Sequence, residues 1–142
     1  MSMDAIGQLN WLAVIVGAVV YYVLGALIYA PPVLGRAWQR SIGWDTEAPA
    51  PGMSPTMIVI PVIANLVIST VIAMLAVATG TTDLAGGLTL GVVLGVGFSV
   101  GRTALDAVFD PMKPRPWTWF AITSLYHFVA VVVVAVIVSV WV

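Results

Sequence analysis

The chain has no cysteine, which excludes disulfides, thiolate metal centres and a cysteine nucleophile together. Charge is nearly as scarce, with five basic and six acidic residues in 142 and no basic tract. Nucleic acid is therefore not an expected partner, because binding the phosphate backbone needs clustered Lys and Arg. His127 is the sole histidine, so one subunit cannot supply two axial histidines to a haem, and no metal site is expected. GxGxxG, P-loop, HExxH and GxSxG patterns are missing as well. Each would have carried a specific binding or catalytic mechanism. The residues give no reason to expect an enzyme or a resident cofactor.

What is present is apolar: 61% of residues are hydrophobic and the mean hydropathy is +1.10. A water-soluble domain of this length leaves about a third of its unfolded-chain surface exposed, too much for such a composition. A bilayer removes that constraint, since crossing about 30 Å of hydrocarbon takes roughly 20 apolar residues as a helix. Four stretches qualify, at about 9–33, 56–79, 85–109 and 117–141. The expected fold is all-α, a polytopic membrane protein forming a compact bundle of four transmembrane helices, with residues 1–142 as one domain. The first stretch is too long for a signal-peptide core, and its flank is uncharged apart from Asp4 and the amino terminus. It is expected to be a retained helix.

Arg36 and Arg40 follow the first span, and Lys113 and Arg115 follow the third. Those loops, 34–55 and 110–116, face one side, and the positive-inside tendency makes that side the cytoplasm. The expected setting is the inner (plasma) membrane, with both termini and the Asp83 turn extracytoplasmic. Trp11 and Trp141 fall at outward ends, whereas Trp38, Trp44, Trp117 and Trp119 fall at or near inward ends. Indoles favour the headgroup region.

Prolines punctuate the chain. Pro31 and Pro32 should end or kink the first helix, having no N–H to donate. RAWQR (36–40) has the character of a short interfacial helix, and Pro49, Pro51 and Gly52 favour extended or turn structure. Ser54-Pro55 forms an N-cap and N1 pair for the second span. Pro61 should kink that helix modestly, Gly80 should stop it, and Asp83 should cap the next.

Gly87, Gly91, Gly95 and Ser99 recur every four residues, a stripe that lets another backbone approach closely. Gly97 and Gly101 form a second, shorter one, and Ala13, Gly17 and Gly25 a third that Tyr21 interrupts. These stripes make the third helix the expected centre of the bundle. The Val-rich run 129–138 should face lipid or an apolar subunit. Its β-branched residues favour strand, but open sheet edges in hydrocarbon are prohibitively costly.

Amid these apolar residues, Arg102 and Asp106 stand one helical turn apart on one face. Counted from Asp110 at about 1.5 Å per residue, they lie roughly 12 Å and 6 Å deep. Pairing reduces the penalty each charge would suffer alone. Tyr22 (or its neighbour Tyr21), Asn65 with Ser69, and Tyr126 or His127 reach a similar level. Every helix thus offers a hydrogen-bonding side chain to one slab. Two accounts stay open: polar glue between helices, or a small polar cavity for an ion, a proton relay or a polar ligand. In the second, His127 is the natural proton carrier.

Residues 10–38, NWLAVIVGAVVYYVLGALIYAPPVLGRAW, resemble the opening of DUF1761, a family of small bacterial four-helix membrane proteins of unknown function. The resemblance rests on Asn10-Trp11, on Gly25, Ala26, Leu27 and Tyr29, on Pro31, and on Gly35 with Trp38. The glycine-rich third span and Tyr126-His127 extend it along nearly the whole chain. It implies fold and location and supplies no activity. Two functions follow as expectations: a structural or accessory membrane component, or a small transporter using the polar slab. With short helices and broad Val/Ile faces, a homo-oligomer such as a dimer, or membership of a larger membrane complex, is expected in the lipid bilayer.

Overall fold

The computed structural model describes residues 3–47 and 54–141. Pro49, Pro51 and Gly52 lie outside the described residues, as does the side chain of Asp4. A 3-10 turn, Met3–Gln8, leads into α1 (Trp11–Ile28). Asn10 caps α1, its side-chain oxygen accepting from the amides of Leu12 and Ala13 at 3.1 and 3.2 Å. The same side chain donates to the carbonyl of Trp141 at 3.0 Å, tying the start of the first span to the end of the last.

The helix stops at Ile28, five residues short of the expected 33. Pro31 and Pro32 then open a π-helical turn, Pro31–Gly35, followed by α2 (Arg36–Ser41), the short helix expected around RAWQR. Gly35 is obligatory there, because a Cβ would collide with the Tyr29 carbonyl. The second span is α3 (Pro55–Thr79), unbroken at Pro61 and ended by Gly80 at φ +66°. Pro55 holds the N1 position, but Ser54 caps less fully than expected. Its hydroxyl meets the Thr56 hydroxyl at 2.7 Å rather than a free amide.

Asp83 accepts from the Gly86 amide at 2.7 Å and opens the third span. That span is not one regular α-helix. It runs as α4 (Leu84–Leu94), a π-helical segment Gly95–Val100, and α5 (Gly101–Phe109). The last span is α6 (Pro116–Val140), which carries the Val-rich run as helix. No strand occurs among the described residues. Four helices, Trp11–Ile28, Pro55–Thr79, Leu84–Phe109 and Pro116–Val140, are long and apolar enough to cross a membrane. The chain is a multi-pass membrane protein.

The centre of the bundle corrects the sequence-based expectation. It is α6, not the third span, that touches every other span. Ala130, Val131, Val134, Ala135 and Val138 of its apolar run are buried, so this face is core rather than lipid surface. The glycine stripe does admit a close neighbour, and that neighbour is α6. A Cβ on Gly91 would sit 2.6 Å from the Cα of Val132, and one on Gly95 2.7 Å from the Phe128 ring. A stripe identifies one intimate contact, which a peripheral helix can make as well as a central one. Gly97 faces open space, so the second stripe seats nothing there. α1, α3 and α6 all pack against one another, while α3 and the third span scarcely meet.

Candidate functional site: a lateral groove between the second and third spans

Because α3 and the third span diverge, a groove of about 520 Å³ opens between them, floored by α6 and α1. Its walls are apolar, from Val67, Ile68, Val71 and Leu75 on α3 and from Leu94 and Phe98 opposite. Near the end of the bundle that carries Lys113 the lining turns polar, with Ser99, Arg102, Thr103, Asp106, Tyr21 and His127. The groove is therefore amphipathic along its length.

The polar residues divide by what they hold. Tyr21 is buried, and a 2.7 Å hydrogen bond joins its phenol oxygen to Nδ1 of His127. Tyr126 rests against Gly25, where a Cβ would come within 2.8 Å of its hydroxyl, and that hydroxyl donates to the Tyr21 carbonyl at 3.3 Å. The rings of Tyr21 and Tyr29 both meet Tyr126 edge-on, and Tyr29 in turn meets Trp38. Ser69 donates to the Val14 carbonyl at 2.8 Å and thereby fastens α3 to α1. Thr103 shares a 2.6 Å hydrogen bond with Ser124 of α6. These contacts join helices.

Arg102 and Asp106 differ. Their ion pair is 3.0 Å long and lies within one helix, with the side chains 72% and 35% exposed. Among the described residues neither side chain hydrogen-bonds another helix. They join nothing to nothing else, yet they stand on the groove wall. The span Leu84–Phe109 has 26 residues. At about 1.5 Å each it measures about 39 Å, longer than the hydrocarbon by about 4–5 Å at either end. That places Asp106 at the hydrocarbon boundary and Arg102 one turn beneath it.

The expected slab is thus brought together only in part. Arg102, Asp106, His127 and Ser99 reach the groove. Asn65 is buried on the α3 face that carries Ser69, away from the groove lining. Tyr22 points elsewhere, into a shallow apolar recess with Ile15, Ala18, Val62 and Leu66; its neighbour Tyr21 takes the place in the cluster. Periodicity carried that signal, since Tyr21 is four residues from both Gly17 and Gly25 on the buried face. Thr103 and Ser124 were also missed, though Thr103 shares the face of Ser99. Of the motif residues, Trp11 is exposed at its span end. Asn10, Gly25, Gly35 and Trp38 have the structural tasks described, and Pro31 starts the π turn. No group of three or more His, Asp or Glu among the described residues could hold a metal.

Fold and groove together define a helical multi-pass membrane protein with a laterally open, polar-ended recess. Residues 12–139 match the family model described as "Protein of unknown function (DUF1761)", and the chain belongs to that family. No curated protein and no solved structure matches it.

Proposed function

We propose that the protein is a membrane-embedded binding component whose groove holds an amphipathic, lipid-like molecule entering sideways from the bilayer. One observation carries this reading: an ion pair at the hydrocarbon boundary that joins no helices lines the polar end of an apolar groove. Intramembrane charges are costly and ordinarily face a partner or a cavity. A purely structural or accessory role explains Tyr21, Ser69, Thr103 and Tyr126 well, and it leaves Arg102 and Asp106 without a task.

Transport of an ion or proton is the competing reading, and the groove lining gives it less support. Beyond Phe98 the walls are Val67, Val71, Ile72, Leu75 and Leu94, which offer no polar route to the opposite face. We place the protein in the inner (plasma) membrane, with the basic loops cytoplasmic and both termini outside, because Arg40 and Lys113 mark one end. We also propose a homodimer, with a larger complex as the other assembly. Exposed Ile60 and Ile63 of α3 suit a second copy. The dimer argument no longer draws on α6, whose apolar face is buried.

Native mass spectrometry of protein extracted directly into lipid nanodiscs tests the binding role. The chain should release with one retained lipid-sized adduct, and Ile68→Trp, which fills the groove, should lose it. Equal retention by both proteins contradicts the proposal.

A further inference from the structure

We infer that the groove takes an amine-bearing zwitterionic phospholipid, its phosphate on Arg102 and its ammonium on Asp106. This inference rests on the binding role proposed above and deepens it by naming the headgroup. The argument is the order of the two charges along the membrane normal. Asp106 is the nearer to the helix end at Phe109; the Arg102 backbone lies four residues deeper, about 6 Å, and its guanidinium reaches up to meet the carboxylate from the deeper side at 3.0 Å.

An aminophospholipid presents its groups in the same order. Its acyl chains are deepest, its phosphate comes next, and its ammonium is outermost, joined to the phosphate by a two-carbon link. With the chains along Phe98, Leu94, Val71 and Ile68, the phosphate meets the guanidinium and the ammonium meets the carboxylate. Arg102 spends one nitrogen on Asp106, and a guanidinium has five N–H donors. Donors therefore remain for a phosphate, which guanidinium groups recognise well. The carboxylate likewise keeps lone pairs for an ammonium.

The same geometry disfavours two common alternatives. An anionic glycerol headgroup has no cation for Asp106 and adds negative charge beside it. A quaternary choline has the right charge but no N–H to donate. The pair is neutral as a unit, so a zwitterionic headgroup leaves no net charge at the hydrocarbon boundary. An anionic one does.

The experiment is competition in nanodiscs of phosphatidylethanolamine, phosphatidylcholine and phosphatidylglycerol with identical acyl chains, read as retained adducts by native mass spectrometry. The ethanolamine lipid should be retained over each of the others by about tenfold or more, the scale of one charge-assisted hydrogen bond. Asp106→Asn should erase the preference over choline. Equal retention of all three lipids by the native chain overturns the headgroup assignment and leaves groove binding intact. Retention of none, with the Ile68→Trp variant indistinguishable from the native chain, overturns groove binding itself. The comparison on the native chain needs no variant to fold.

Discussion

The phenol oxygen of Tyr21 lies 2.7 Å from Nδ1 of His127, across 106 residues of sequence, and the two side chains share one hydrogen bond at the floor of the groove. The bond locks α1 to α6 at the level where the lining changes from apolar to polar. Around it Tyr126 and Tyr29 stack edge to face. The polar end of the groove therefore has a hydrogen-bonded floor and a charged wall, the exposed Arg102 paired with the half-buried Asp106.

Tyr21→Phe keeps the ring contacts and removes the hydroxyl. Stability in detergent should fall by about 1 kcal/mol, the usual scale of one interhelical hydrogen bond. Thermal unfolding followed by circular dichroism reads it. Tyr22→Phe, whose ring lies in a separate apolar recess, should leave the midpoint unchanged.

Gly91→Val tests the contact between α4 and α6. A Cβ there meets the Cα of Val132 at 2.6 Å, which is backbone and cannot turn aside. Overpacking of this kind costs about 1–3 kcal/mol, so folded yield should drop sharply. Gly97→Val, which faces open space, should fold like the parent.

How much of this was legible in the sequence follows from which force fixes each feature. Spans, helix stops and caps are local, so Asp83, Gly80 and Pro31 announced them. The small-residue stripe was legible too, and only its partner was misassigned. A run such as VAVVVVAVIV has no polar face to mark the side turned inward, and in hydrocarbon apolarity does not separate core from lipid surface. The choice between Tyr21 and Tyr22 was a choice of helical face, and the glycines four residues either side of Tyr21 carried the answer. The groove itself was not legible, because it arises from two helices that diverge rather than from any motif.

Asn10→Ala removes an N-cap and the bond to Trp141 together. Loss of the cap alone costs about 1 kcal/mol. The variant should therefore unfold at lower temperature, and amide exchange should rise first at the start of α1 and at the end of α6. Protection unchanged at both ends contradicts the linkage.

Asp110 gives a pH dependence outside the spans. The Lys113 ammonium hydrogen-bonded to its carboxyl, with help from the Met112 amide, holds its pKa below the ordinary 3.8. A carboxylate depressed in the folded state stabilises that state above 3.8, and the contribution disappears as pH falls through the folded value. Asp110→Asn should thus lower the unfolding midpoint slightly near neutral pH. The difference from the parent should close in strongly acidic buffer.

Orientation is tested by a reporter fused after Val142 and by cysteines placed beside Arg40 and Lys113. The reporter should be active outside, and the cysteines should react only with reagent supplied from the cytoplasm. Labelling of those cysteines from outside reverses the topology. Mass in lipid then decides the dimer, since a monomer at every protein-to-lipid ratio contradicts self-association.

The central claim is that the groove between α3 and the third span holds one amphipathic lipid. Site-specific photo-crosslinking addresses it most directly, with a benzophenone side chain replacing Phe98 inside the groove or Val93 on exposed surface outside its lining. The account predicts a stoichiometric phospholipid adduct from position 98 that survives delipidating washes, and only sparse, mixed lipid adducts from position 93. Equal yield and the same lipid mixture at both positions, or crosslinking of position 98 to a second copy of the chain, would contradict it.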